Sequence, residues 1–339
     1  MDPITHGLLG ATVAQVTMGK RIPRGAALIG AVGAMAADAD VFIWSANDPT
    51  VSWVYHRHFT HALAFIPLGG WLAALPFLWL ARYRLYRVAV VVAAMIGYAT
   101  HTLLDSLTNY GTQQLLPFAD TRVTWDAMPI VDPVYSLILL AGLALAARSR
   151  WVKAARWSLA LSLLYVLFGF WQHQRAVEVQ NELLALRHQQ ATQARVLPAP
   201  GWLILWRSIY LADGKLYADG IRLPWLGKAG VLMGASADAV TLSDLPAVVQ
   251  ANPAAQRQFK ILAWFAGGYL AAVAGDAANI VGDMRLTTTL EGLTPMWGLQ
   301  FNAQGAPQRW VSARPSGREV MRALLWGDER YQPLPPRQH

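Results

Sequence analysis

The chain contains no cysteine. Disulfides and thiolate metal sites are therefore excluded, and any bound metal must be held by His, Asp or Glu. Those donors suit zinc, manganese, iron or magnesium. Charge is also scarce: 14% of the 339 residues are charged and 55% are hydrophobic, whereas soluble domains carry roughly 25% charged residues. That deficit points to a membrane protein before any segment is located. No H-E-x-x-H motif occurs, which sets aside a metalloprotease of that type. The net charge of +8 does not imply a nucleic-acid partner, because many of the basic residues sit in short loops between apolar segments, the distribution that orients a membrane protein.

A membrane-crossing helix needs about 20 mostly apolar residues. Five segments approach this length: 26–43, 62–80, 88–107, 130–147 and 154–171. A weaker sixth, 3–18, contains His6, Gln15 and several small residues. It is expected to be re-entrant or buried among the others. A cleavable signal peptide is not expected, since Asp2 and His6 stand where basic residues should be. Lys20, Arg21, Arg24, Arg82, Arg84, Arg87, Arg148, Arg150, Lys153 and Arg156 occupy alternate loops, while the opposite loops hold only Arg57 and Arg122. This asymmetry puts the basic loops in the cytoplasm of a bacterial cell. The N-terminus and everything after Trp171 then lie outside the inner membrane, in the periplasm if the cell is Gram-negative.

The expected fold is a mainly α membrane protein, a bundle of about five or six transmembrane helices with a C-terminal α+β extramembrane domain. Its expected parts are a transmembrane domain over 1–171, a polar connecting helix over 172–196 and the extramembrane domain over 197–339. Within the last, Asp213-Gly214 and Asp219-Gly220 read as turns around a short 215–218 segment. Strands are expected near 280–286, 297–302 and 309–312, and helices over 243–260 and 317–326. His173 and His188 have no partners nearby in sequence and read as solvent-facing or structural.

Several polar residues stand where bilayer-embedded helices should be apolar. His101 and Asp105, four apart, share one helix face. His58 and His61, three apart, do likewise, with His56 facing away and interfacial. Asp38 and Asp40, two apart, cannot share a face of a regular helix, so the helix should end there or only one of them ligates. His6 stands alone near the N-terminus. A charge inside a bilayer costs at least about 2.5–3.5 kcal/mol, and a divalent cation with imidazole ligands compensates such carboxylates. The orientation derived from the loops puts all seven at the outer end of their segments. One site can gather them.

The outer loop adds Asp120, Arg122, Trp125, Asp126 and Asp132. Asp126 and Asp132 are candidates for a ligand, for a partner that orients an imidazole or for a general base. Arg57 is a candidate for holding a substrate phosphate or stabilising developing charge. Three of the eight histidines follow a threonine, at Thr5-His6, Thr60-His61 and Thr100-His101. Each hydroxyl either bonds backbone one turn earlier or supports its neighbour from behind.

The stretches MDPITHGLLGA, ADAD, HRHFTHAL, HTLLD and WDAMPIVDP resemble the YdjM-type family of inner-membrane metal-dependent hydrolases. The later WRSIYLADGKLYADG and GDMR resemble the extramembrane part of longer members. The resemblance implies a fold similar to that of zinc-dependent phospholipase C and the single-strand-specific zinc nucleases. By the same resemblance, the metal positions fall on His6, Asp38, Asp40, His58, His61, His101 and Asp105. The expected function is metal-dependent hydrolysis of a phosphoester in a membrane lipid or lipid-linked substrate at the outer leaflet. One to three divalent ions are expected, zinc first, with manganese or magnesium as alternatives. The competing readings are a divalent-cation transporter, since intramembrane His and Asp also mark ion paths, and a non-catalytic membrane protein with a structural metal site. A di-iron oxidase or desaturase stands further off.

Overall fold

The computed structural model describes residues 1–22, 25–149, 152–273, 279–312 and 330–334. The chain divides into two compact units. The first comprises Met1–Ile43, Tyr55–Trp171 and Pro200–Trp202, and the second Trp44–Val54, Gln172–Ala199 and Leu203–His339.

The first unit is helical. Helix α1 (Pro3–Met18) starts at a proline, which is suited to a first helical turn, and Asp2 caps it by accepting from the Thr5 N–H at 3.0 Å. Helix α2 (Ala26–Met35) tightens into a 3₁₀ helix over Ala36–Phe42. After α3 (Thr50–Tyr55), which lies mostly in the second unit, come two short 3₁₀ turns over Phe59–His61 and Leu63–Phe65, then α4 (Ile66–Leu78). Helices α5 (Arg87–Ser106) and α6 (Pro133–Ser149) follow, and α7 (Val152–Leu186) runs on into the second unit. Helix α1 packs on α2, α5 and α6, while α2 and α4 both pack on α5. Close backbone approaches lie at glycines. A Cβ on Gly97 would sit 2.1 Å from the Gly30 carbonyl oxygen, and one on Gly10 would sit 2.5 Å from that same oxygen. Small residues let backbones meet where the surroundings offer no hydrophobic contrast. Here they press α2 between α1 and α5.

By length and composition, two described helices can cross a membrane, α5 and the α7 segment Lys153–Leu186. A third span arises if the bent pair Thr50–His61 and Leu63–Leu78, kinked by 58°, counts as one. This is fewer than the five or six expected. Hydropathy locates apolar residues and not helix ends. Helices α1, α2 and α6 stop at 16, 10 and 17 residues, short of the 30 Å core at 1.5 Å per residue. The polar helix expected from 172 is continuous with the apolar segment before it, as α7 runs through as one helix of 35 residues, while the boundary between the two units falls at Trp171/Gln172.

The second unit carries two antiparallel sheets. One has the order β1 (Gln193–Pro198), β2 (Leu205–Ala212), β3 (Lys215–Arg222) and β4 (Gly230–Leu232), with β5 (Ser236–Asp238) also pairing with β3. Helices α8 (Ala247–Gln250) and α9 (Pro253–Ala266) follow. The other sheet runs β6 (Leu270–Ala272), β7 (Ile280–Asp283), β8 (Trp297–Phe301) and β9 (Pro307–Val311). Asn252 caps α9, and Gly267, at φ +60°, ends it in the left-handed conformation.

The Asp213-Gly214 turn joins β2 to β3 as expected, whereas Asp219-Gly220 lies inside β3, opposite Ser208 and Arg207. Asp219 is buried and takes the Arg187 guanidinium at 2.7 and 2.8 Å. Arg207, also buried, donates to the carbonyls of Met284, Thr289 and Leu290, and burial lowers its pKa to about 10. The helix expected over 317–326 lies outside the described residues.

Candidate metal centre

His101 and Asp105 stand one turn apart on α5, and both are fully buried. The close α2–α5 contact brings the Ala34 carbonyl to 2.6 Å from His101 Nδ1. A carbonyl oxygen only accepts, so Nδ1 carries a proton, which leaves Nε2 as the nitrogen that would ligate a metal. His61, in the 3₁₀ turn after α3, is held in the same sense. Its Nδ1 lies 3.2 Å from Asp40 Oδ2 and 3.0 Å from Thr60 Oγ1, and Thr60 donates to that same Asp40 oxygen at 2.7 Å.

The two Nε2 atoms therefore face each other, at 2.9 Å. Asp105 Oδ2 lies 3.3 and 3.4 Å from them, and Asp38 Oδ1 lies 3.8 and 3.5 Å away. One donor atom from each of these four residues falls within 4.8 Å of the others. With the imidazoles neutral, four electron-rich atoms confront one another in a largely buried space. The Arg57 guanidinium, 2.9 Å from Asp105 Oδ2, offsets part of that repulsion, and a bound cation would relieve the rest. Two imidazole nitrogens and two carboxylate oxygens are a donor set that fits a divalent transition metal.

A second group adjoins the first. Asp38, Asp40 and His56 each offer an atom within 4.8 Å of the others, and His56 Nδ1 lies 2.8 Å from Asp40 Oδ1. Asp38 is common to both groups. It is also the partly exposed member of the first, at 22%, beside the fully buried His61, His101 and Asp105. The ambiguity over Asp38 and Asp40 is resolved by the 3₁₀ helix of Ala36–Phe42, which tightens α2 where the carboxylates occur.

His56 and His58 exchange the places expected of them. Helix α3 ends at Tyr55, and Arg57 adopts a left-handed backbone at φ +64°. The i, i+3 relation between His58 and His61 therefore has no α-helix to act on: His58 lies just outside the 3₁₀ turn that carries His61. His58 packs edge-on against Tyr55 and Phe59 and belongs to neither group among the described residues, while His56 joins the Asp40 side. His6 reaches the centre through Asp105: its Nε2 lies 3.0 Å from Oδ1, and its ring stacks on His101 at 3.6 Å. The Met1 amine meets the same carboxylate oxygen.

Arg57 is not presented to a substrate. Its side chain is buried, pairs with Asp105 at 2.9 Å, donates to Thr108 Oγ1 at 2.8 Å and stacks over Tyr110. Asp132 caps the start of α6: its carboxylate accepts from the Tyr135 N–H at 3.0 Å and the Tyr165 hydroxyl at 2.9 Å. Those bonds occupy both oxygens, so the base role expected of Asp132 does not follow from its position. Asp126 is buried with a left-handed backbone at φ +51° and lies in neither group.

Sequence reasoning passed over His56 and could not foresee the Ala34 carbonyl. The threonine-histidine pairs do mark one support, Thr60. Thr100 instead bonds the Gly97 carbonyl one turn back, and Thr5 bonds Asp2 and Ser136.

No curated protein and no solved structure matches the chain. The sequence profile of the YdjM inner membrane protein family matches residues 1–176, which include every residue of both carboxylate–imidazole groups and all of α1 to α6. With the match covering more than half of the 339 residues, the chain belongs to the YdjM inner membrane protein family.

Proposed function

We propose that the protein is a membrane-bound, metal-dependent hydrolase of phosphoester bonds in a lipid or lipid-linked substrate at the outer leaflet of the inner membrane. The observation that carries this reading is the convergence of donor atoms from Asp38, His61, His101 and Asp105 in a largely buried space. These four would hold one ion, zinc first, with manganese or magnesium as alternatives. Asp38, Asp40 and His56 would hold a second. A divalent ion bound there supplies Lewis acidity toward a phosphoryl oxygen and makes water more acidic.

The residues around the ions have separate tasks. His6 and Arg57 fix the orientation of Asp105. Thr60 and the Ala34 carbonyl aim His61 and His101. Asp38, the partly exposed carboxylate, stands on the side from which water or a phosphate would enter. Depth supports a lipid substrate. Helix α5 carries Arg87 at one end and His101 and Asp105 at the other, and its 20 residues rise about 30 Å. With the basic end in the cytoplasm, the cluster falls at the outer leaflet and the 197–339 domain on the outer side. Helices α1, α2 and α6 are read as embedded in the same layer around α5.

Purified full-length protein tests the reading. It should contain stoichiometric transition metal and cleave bis-p-nitrophenyl phosphate and a phospholipid. The H61A/H101A double variant should lose both properties. Unchanged metal content in that variant refutes the centre, and a metal-loaded wild type that cleaves neither ester refutes the hydrolase.

A further inference from the structure

At the opposite end of α5 from the carboxylate–imidazole cluster lies a cavity of about 630 Å³ that the hydrolase reading does not use. Lys20 and Arg21, from the turn after α1, and Arg84 and Arg87, from the entry to α5, line it. No acidic residue is among the described residues that line it. All four cations are exposed, and their side chains form no ion pair or hydrogen bond with another described residue. Four like charges around one cavity repel each other, and an anion relieves that repulsion. Exposed Lys153 and Arg156, in another basic loop of the first unit, also lack such partners, but they do not share this cavity with the other cations. The N-terminus of α5 opens here with no side-chain cap, leaving its first N–H groups free for the same anion.

Beside the cations lies apolar surface. Leu85 is 90% exposed and Val88 is 79% exposed, and both line the cavity. A free phosphate gains nothing from that surface, whereas a phospholipid gains contact for its acyl chains while its phosphodiester meets the cations. The volume falls within the range of about 300–1,000 Å³ typical of small-molecule sites.

We infer that this basic cavity binds the headgroup of an anionic phospholipid, such as phosphatidylglycerol, in the cytoplasmic leaflet. The inference rests on α5 crossing the bilayer with its basic end inside, and not on the chemistry of the cluster. Orienting loops need basic residues but not a shared cavity, so a generic orientation signal predicts that any two cytoplasmic charges are interchangeable, while a site predicts that they are not.

The full-length protein, delipidated in a neutral detergent, is titrated with dioctanoyl phosphatidylglycerol, dioctanoyl phosphatidylcholine and inorganic phosphate. Binding is read by native mass spectrometry and by the shift in melting temperature. The wild type should retain one phosphatidylglycerol at least about tenfold more tightly than phosphatidylcholine, and millimolar phosphate should not displace it. The R84Q/R87Q variant should lose that preference, while K153Q/R156Q, which removes the same charge from another basic loop, should keep it.

Equal retention of the two lipids, equal loss in both variants, or displacement by phosphate overturns the lipid site. Should R84Q/R87Q fail to fold, K20Q/R21Q removes two charges from the other wall of the same cavity, and wild-type retention in it overturns the proposal equally. The leaflet is tested separately. R84C gives a single thiol in a chain with no cysteine, and an impermeant maleimide should label it in inverted vesicles and not in intact spheroplasts. Labelling of spheroplasts overturns the topology, whereas loss of lipid preference overturns the site alone.

Discussion

Thr60→Val separates a metal centre from a mere hydrogen-bonded cluster, because valine keeps the shape of threonine and removes only the hydroxyl. That hydroxyl donates to Asp40 Oδ2 at 2.7 Å and lies 3.0 Å from His61 Nδ1. Its loss frees the imidazole to turn and leaves one oxygen of a buried carboxylate with weaker support. Removing a partner behind a metal ligand typically weakens metal affinity about 10–100-fold, or about 1.4–2.7 kcal/mol. The consequence for stability follows by mass action. Zinc at about 100 times the wild-type Kd stabilises the folded state by about 2.7 kcal/mol. If the variant's Kd rises about 100-fold, the same zinc concentration stabilises it by only about 0.4 kcal/mol.

Zinc affinity is measured by competition with a chromophoric chelator, and the zinc-induced rise in melting temperature is measured on the same samples. T60S should restore most of the affinity, since it returns the hydroxyl. Zinc affinity in T60V within twofold of wild type, with H61A abolishing binding, refutes the claim that the hydroxyl orients a metal-ligating imidazole.

Other consequences are open to direct measurement. H56A should lower the metal content of the protein by one ion and H58A should leave it unchanged, as read by elemental analysis; the reverse result restores the helical-face reading of this segment. Imidazoles must be deprotonated to bind metal, so occupancy and the stability it confers should be full above neutral pH. Zinc affinity should fall as pH is lowered, and an affinity that acidification leaves unchanged contradicts ligation by histidine. G97A puts a methyl 2.1 Å from the Gly30 carbonyl oxygen; the overpacking should cost about 1–3 kcal/mol and weaken zinc binding by separating Ala34 from His101. R207M strands the carbonyls of Met284, Thr289 and Leu290 that the buried guanidinium serves; thermal denaturation should show a loss of about 2–4 kcal/mol with metal affinity unchanged.

What the sequence discloses and what it hides divide along the line between helix and turn. His101 and Asp105 were legible because α5 is a continuous helix, so four residues make one turn and the pair must share a face. The alternating basic loops lead to the expectation that Asp38, His61, His101 and Asp105 can meet, and one donor atom from each does lie within 4.8 Å of the others. Periodicity, however, holds only while the backbone repeats. Between α3 and α4 it does not, because Arg57 takes the left-handed conformation, one that a non-glycine residue adopts only when its surroundings demand it. The Asp40 carboxylate, accepting the Arg57 N–H at 2.9 Å, is one such demand, and it comes from 17 residues away. No local pattern records it, so His56 and His58 could not be told apart by spacing.

The same limit explains the second unit. Asp219-Gly220 has turn composition, yet it stays in β3 because Arg187, at the end of α7, and the Gly234 N–H both bond the Asp219 carboxylate. The change of surroundings at Trp171, where the chain passes from the first unit to the second, is marked by polarity and not by the backbone. Gln172 to Leu186 is mostly Gln, Glu, Arg, Ala and Leu, residues that favour helix as strongly as the apolar run before them. The polarity changes at Trp171 while the backbone preference does not, and α7 runs through the change unbroken. Composition thus marks a change of surroundings without marking an end of structure, which is also why counting apolar stretches overstated the number of helices long enough to cross a bilayer.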